Sequence, residues 1–443
     1  VVADLSRLDR IVEFSEELAY VTVEPGVTQR QLHEYLVNRD SALWMDATGS
    51  SPECSIVGNT LERGFGHTPS GDHFAHVFGM EVVLASGEVL RTGLGGFPNA
   101  HAARVYKWGV GPYLDGLFTQ SNFGVVTEMT IGLMAAPETF QAFYVTVRTD
   151  AQLEGLIERM RPLRLDGTIK SSAHIGNGHK VLSSIQRYPW EQAQGRSQLP
   201  EEVLHDMAKR WGFGAWNASG ALYGSRGEVA LARRRIKRAL KGHVDQLQFL
   251  GDRKLRLARF LRRPYRWITG VDLAEKLRLI EPLHGLKKGV PTETMLPSVY
   301  WRKRSAVPED PDPDRDRCGL IWCSPVAPTT GTHARAMVDI VRRTLDRHGF
   351  EPIISMTLLT ERCMDNIVGL TYDRDSPGED ERAMRCYEDL VDGLVEAGYY
   401  PYRLPTCGMD VMARQNAGPR TVRARLKSIL DPNGVLAPGR YDQ

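Results

Sequence analysis

Residues 47–71 read ATGSSPECSIVGNTLERGFGHTPSG, a stretch rich in Gly, Ser and Thr set between segments with ordinary strand and helix patterning. Such a run is either plain loop or a backbone that closely approaches a phosphate or a planar ligand, which glycine permits because it has no Cβ. Both readings stay open on this stretch alone. Just before it, VVADLSRL and VTVEPGV read as strands around the charged SEELAY, and Pro25-Gly26 stops the second. Thr28 with Gln31 fits a capping box that opens the helix TQRQLHEYL, with Leu32 and Leu36 on one face. Just after it, MEVVLASGEVLRTG alternates around Ser86-Gly87 as a hairpin does, and SNFGVVTEMTIGLM is a further strand-pair region.

The character changes after Pro137. Residues 139–316 mix β-type FQAFYVTVRT with helical DAQLEGLIERM, and Ala306–Asp316 (AVPEDPDPDRD) is a Pro/Asp linker or loop. From Arg233 to Arg266 the chain is strongly basic, and we read this as a solvated helical face with Leu240, Leu247, Leu250 and Leu257 as its apolar complement. RCGLIWCSPVA reads as a buried strand. THARAMVDIVRRTLDRHG is an amphipathic helix with Met337, Ile340, Val341 and Leu345 on one stripe and Gly349 as its stop. Two strands follow, then a helix with Tyr387, Leu390, Val391, Leu394 and Val395 inward, closed by Gly398. This order predicts an antiparallel sheet with helices on one face, an α+β cap rather than a doubly wound dinucleotide fold. RTVRARLKSILDPNGVLAPGRY is a last helix and its loop.

Composition excludes several classes. With 443 residues, 42% hydrophobic and 25% charged, the chain is globular and long enough for two or three domains. Lys plus Arg number 56 against 54 for Asp plus Glu, which gives no case for nucleic acid as main partner. No apolar run approaches the roughly 20 residues a membrane helix needs, so no membrane is expected. Six cysteines are too few for a disulfide scaffold. No G-x-G-x-x-G follows a first strand, and no P-loop lysine or H-E-x-x-H motif is present. His73 and His76 sit three apart in a loop-like context that argues weakly for a metal.

Several long segments, taken in order, carry a resemblance: VEPGVTQRQLHEYL, SIVGNTLERGFGHTPSGDHFAHVFGMEVVLASGEVLRTG, YKWGVGPYLDGLFTQSNFGVVTEMTIGLM, YWRKR at 300–304 and the tail LDPNGVLAPGRY. The chain resembles the vanillyl-alcohol oxidase/p-cresol methylhydroxylase flavoprotein family, and its 4-alkylphenol-oxidising members in particular. The matches are dense over residues 1–136 and 317–443. The resemblance implies an α+β, two-domain flavoprotein: a PCMH-type FAD-binding domain at 1–136, a cap at 137–398 with an antiparallel sheet, and a segment at 399–443 that returns to the FAD domain. By position it implies that Ser55, Ile56, Gly58 and Asn59 lie along the diphosphate and ribose, with Gly64 nearby. Gly124 and Val126 would supply backbone contacts, and Arg440 would reach the flavin region. An anionic diphosphate without Lys or Arg must be held by backbone N–H groups, which need small residues around them.

The resemblance also implies the chemistry. Tyr402-Arg403 matches a family Tyr-Arg pair that holds a phenol oxygen as phenolate, and the forked, always charged guanidinium suits that task. A phenolate para to an alkyl carbon pushes electrons outward, so hydride can leave the benzylic carbon for flavin N5 and a p-quinone methide results. Asp72, in GDH, would activate water or balance charge on that intermediate. Arg302 would stabilise the reduced flavin or pair with an acid. Tyr300 and Trp322 either line the pocket or belong to the core. The family's Gly-rich phosphate loop, ending in Gly-Tyr-Gly, would precede Val1, so part of the FAD domain is expected to be missing here. Where the family tethers FAD through a cap His four residues before Ser-Pro, this chain has Leu320 before Ser324-Pro325, which implies non-covalent FAD. A phenolic substrate, an electron acceptor that is oxygen or a cytochrome c subunit, and a homo-oligomer complete the expectation. Oxidation of a 2-hydroxy acid or sugar alcohol on the same fold, or a fragment unable to hold FAD, are the alternatives.

Overall fold

A computed structural model describes residues 2–269, 273–410 and 417–441. The chain divides into two compact units: Val1–Ala136 with Lys288–Pro291 and Thr406–Gln443, and Pro137–Lys287 with Thr292–Pro405.

The first unit is built on an antiparallel sheet. Its strands are β1 (Ile11–Ser15), β2 (Tyr20–Val23), β4 (Val77–Val83), β5 (Val89–Arg91) and β6 (Val125–Gly132), in the order β1-β2-β6-β4-β5, while β3 (Leu43–Trp44) pairs with β7 (Met134–Ala135). The first strand lies later than VVADLSRL. Its register (Phe14 opposite Val21, Ser15 opposite Tyr20) needs a tight reversal, and Ala19 turns it at φ 52°. Thr28 caps the helix Gln29–Asn38 by accepting from the Gln31 backbone N–H. The other half of the expected capping box is absent, because the Gln31 side chain donates to the Asp9 carbonyl instead. Leu32 and Leu36 enter a core with Val21, Val23, Val77, Val82 and Met129, and Leu426 and Leu430 of the helix Ala417–Leu430 pack on its edge.

The second unit carries eight further strands: β8 (Thr139–Val147), β9 (Ala173–Asn177), β10 (Trp216–Gly224), β11 (Gln246–Leu250), β12 (Cys318–Cys323), β13 (Val326–Pro328), β14 (Ile353–Leu358) and β15 (Cys363–Asp373). They form one antiparallel sheet in the order β11-β8-β10-β9-β14-β15-β12, with β13 also on β15. Helix Gly331–His348 packs against Glu379–Glu396 and Gln152–Leu165, which packs on Arg226–Leu240. Gly349, at φ 68°, ends the first of these, as a left-handed C-terminal residue should. Asp150 ties this layer together by accepting from Arg335, Arg342 and the Trp216 indole. The basic segment lies mostly on exposed helix (Arg234, Arg235 and Lys237 among them), and its side chains from residue 262 onward are outside the described set.

Candidate functional site

In the first unit, the glycine-rich stretch folds into the short helix Ile56–Leu61 and the turns after it. Ser55 caps that helix: its Oγ accepts from the Gly58 N–H at 3.0 Å and donates to the Pro25 carbonyl at 2.6 Å. Ile56 is buried, and its N–H donates to the Val27 carbonyl. Two other predicted segments meet this helix. The Gln120 N–H donates to the Leu61 carbonyl at 2.9 Å, bringing in the loop before Gly124. From the tail, Arg440 pairs with Glu62, and the Tyr441 hydroxyl donates to the same carboxylate at 3.0 Å. Lys427 fastens tail to loop, donating at 2.7–2.8 Å to the Asn122 and Leu436 carbonyls and to Asp431.

The structure gives individual glycines reasons that the sequence did not. A Cβ on Gly124 would lie 2.5 Å from Val82 Cγ1 and 3.2 Å from Phe118, so this residue is small for packing, beside the buried Val126. A Cβ on Gly64 would lie 2.1 Å from Asn59 Oδ1, and one on Gly66 would lie 1.6 Å from Asp46 Oδ2. Asn59 and Asp46 in turn hold His73. Its Nδ1 is 2.7 Å from Asn59 Oδ1 and its Nε2 is 2.6 Å from Asp46 Oδ2. Asp46 Oδ1 also accepts from the Thr68 and His67 N–H groups. Burial works to raise the Asp46 pKa, but the hydrogen bonds and charge of His73 and the Thr68 contacts outweigh it, so the carboxyl stays below its ordinary range. Beside this network lies a cavity of about 40 Å³, bordered by Asn59, His73, His76, Ser70 and Ile131. No cluster of metal-ligating side chains occurs among the described residues, and His73 is instead bound to Asp46 and Asn59.

Asp72 is half-buried. Its backbone pairs with Phe65, and its Oδ1 accepts from the Ala75 N–H at 3.2 Å, capping the turn Phe74–His76. It lies close enough to His76 to oppose the lowering of that histidine's pKa by burial.

FAD is tested against this unit by its unsatisfied polar atoms. The hydroxyls of Ser50 and Ser121 are buried without a hydrogen-bond partner. Such groups cost free energy unless a ligand or water completes them, and a ribose or diphosphate has the oxygens to do so. The residues therefore fit the group. Neither serine was picked out from the sequence; their signal is the small-residue runs TGSS and QSNFG in which they sit.

The remaining predicted residues belong to the second unit. Tyr402 and Arg403, both half-buried, lie on a bend that follows the bridge of Pro401 to Pro325. The Tyr402 N–H donates to the Ser324 carbonyl at 3.0 Å, the Val326 N–H donates to Tyr400, and Pro401 pairs with Pro325. Arg302 is committed elsewhere. Its guanidinium donates to Glu351 Oε2 at 2.5 Å and to the Ser197 carbonyl at 2.9 Å, over the rings of Tyr188 and Trp190. Of the two roles open to it, the acid pair is the one observed. Tyr300 is core, with its hydroxyl on Asp316, whereas Trp322 is 44% exposed and so is neither core nor enclosed pocket wall.

Residues 1–93 match the model of an FAD binding domain. The chain is 46% identical over its whole length to 1'-carboxy-chondrochloren decarboxylase of Chondromyces crocatus, covering 82% of that protein. It is 31% identical to the 4-cresol dehydrogenase [hydroxylating] flavoprotein subunit of Pseudomonas putida, over 99% of this chain and 78% of that one. The chain belongs to the p-cresol methylhydroxylase flavoprotein family. The crystal structure of p-cresol methylhydroxylase with substrate bound superposes with a TM-score of 0.87 at 30% identity, covering 99% of this chain and 79% of that chain. The PCMH-type fold accounts for both antiparallel sheets, and the cofactor of this FAD-dependent oxidoreductase family is FAD.

Proposed function

We propose that this chain oxidises a para-substituted phenol at the benzylic carbon. The observation that carries the reading is the Tyr402-Arg403 pair, tied through the Tyr402 N–H to the Ser324 carbonyl in a chain similar over 99% of its length to a 4-cresol dehydrogenase subunit. Arg403 and Tyr402 bind the phenol oxygen as phenolate. The guanidinium keeps its charge at any working pH and lowers the cost of ionising the phenol. Ser324 and Pro325 fix the backbone so that the pair needs little reorganisation on binding. FAD, when bound, supplies the acceptor for the hydride. Loss of hydride from the benzylic carbon leaves a p-quinone methide, and Asp72 removes a proton from the water that adds to it. Ser55, Ile56, Gly58, Asn59, Gly64, Gly124 and Val126 border the cofactor, with Arg440 supporting them through Glu62. Leu320 offers no nucleophile, so FAD is held non-covalently. A cytochrome c subunit or oxygen takes the electrons. Replacing Arg403 with Ala tests the reading: turnover of a 4-alkylphenol should fall, and an unchanged rate would remove Arg403 from phenolate binding, whereas a chain that turns over a 2-hydroxy acid or sugar alcohol and no alkylphenol would favour that alternative.

A second reading has its own support. The 46% relative is a decarboxylase. A phenol bearing a carboxyl group that is lost as CO2 during oxidation fits that likeness. Release of CO2 from carboxylated but not from plain alkylphenols separates the two.

A further inference from the structure

We propose that the helix Asp252–Thr269 docks on anionic bilayer surfaces, with Phe260 as its apolar tip and the basic side chains beside it on the lipid headgroups. At about 100° per residue, Asp252, Leu255 and Arg259 share one face of this helix. That face is the one the protein holds. Leu255 is buried, the Asp252 carboxylate lies 2.8 Å from His284 Nε2, and the Arg259 Nε donates to Glu281 at 2.6 Å. Both partners belong to the adjacent helix Leu273–Leu286. The opposite face carries Leu257, Phe260 and Leu261, spaced i, i+3 and i+4. These three are 56%, 80% and 40% exposed. Leu257, expected on the inward side, is turned outward by the register of Leu255.

A stripe of one Phe and two Leu in water marks a surface that something covers, and the charges around it point to what. Arg253, Lys254 and Arg256 are all exposed and flank the stripe. Lys254 donates to the Phe249 carbonyl, while Arg253 and Arg256 meet no acid among the described residues. Asp252 is the helix's single acid, set against seven Lys or Arg over residues 252–269, and it sits on the inner face. A basic helix with Leu and Phe among its charges suits the headgroup region, where it lies flat. It needs no spanning length, and no helix among the described residues is long and apolar enough to cross a membrane. A second copy of this chain fits less well. A two-fold contact through the stripe would bring two basic sets together with no acid on this face to offset them. Nucleic acid would meet the arginines through its phosphates and leave Leu257 and Leu261 uncovered.

The full chain, loaded with FAD, is mixed with vesicles of phosphatidylcholine alone or with phosphatidylglycerol added, and the bound fraction is read by flotation. Binding to the anionic vesicles should be at least about tenfold tighter than to the neutral ones. It should weaken as salt rises from about 0.05 to 0.5 M. Phe260→Ser, and Arg253→Glu together with Arg256→Glu, should each lower it about tenfold or more. These side chains are exposed, so both variants should keep the native melting temperature, which separates lost binding from lost fold. The vesicle comparison on the native chain decides the matter even if a variant misfolds. No binding to anionic vesicles overturns the proposal, as does equal binding to both kinds or binding that both folded variants retain. A chain that stays off the vesicles but loses a dimer on Phe260→Ser, or stays off them but holds a DNA duplex, overturns it in favour of that partner.

Discussion

The guanidinium of Arg302 and the carboxylate of Glu351 meet at 2.5 Å with side chains only 5% and 1% exposed. The other Glu351 oxygen accepts from the Tyr188 hydroxyl and the Leu199 N–H, so this acid is an anchor for the second unit's core. Breaking a buried pair leaves an uncompensated charge and costs about 3–5 kcal/mol. Arg302→Ala should lower the unfolding free energy measured by chemical denaturation by that order, and Glu351→Gln in the same chain should recover part of it. A chain that loses activity on Arg302→Ala while keeping full stability would return Arg302 to the reaction.

Acid should weaken the first unit through its paired carboxylates. Lys427 and the Leu436 and Val435 N–H groups lower the Asp431 pKa from 3.8 to about 2, and Asp46 is also held low. A group depressed in the folded state stabilises it fully above its unfolded value and loses that contribution as pH falls through the folded one. The melting temperature should therefore drop from about pH 4 towards pH 2, and Asp431→Asn should flatten the curve in that window.

Two glycine replacements should act in opposite directions. Gly66→Ala forces a methyl group onto the Asp46 carboxylate and should cost on the order of 1–3 kcal/mol. Gly155→Ala, inside helix Gln152–Leu165 with open space around it, should stabilise by about 0.5–1 kcal/mol. Chemical denaturation of both variants checks the signs.

FAD should leave the protein on denaturation. After acid precipitation of the loaded chain, all flavin absorbance is expected in the supernatant. Flavin retained on the washed pellet would mean a covalent bond that Leu320 cannot make.

Much of the fold was legible because its signals are local. Thr28, Gly349 and the Ser86-Gly87 turn mark element ends by chemistry that acts within a few residues, and the apolar stripe of Met337, Val341 and Leu345 follows from helical spacing. The first strand was misplaced because its register depends on Ala19 adopting a positive φ, which nothing in SEELAY announces. At the site, the resemblance set Gly64 near the diphosphate, and Gly66 was part of a glycine-rich run whose meaning stayed open. What fills their space was not legible: Asp46 comes from outside the glycine-rich run, and only the folded turn brings it to His73. Arg302 was ambiguous for the same reason, since its partner Glu351 is distant in sequence.

The central claim is that Arg403 and Tyr402 bind a phenolate from which hydride is lost at the para benzylic carbon. Anaerobic mixing of the FAD-loaded chain with 4-alkylphenols tests it most directly. The account predicts rapid bleaching of the flavin absorbance, slowed about 10²–10³-fold by Arg403→Ala. A flavin that no para-alkylphenol or carboxylated analogue bleaches, or one that Arg403→Ala leaves reduced as fast as before, would contradict it.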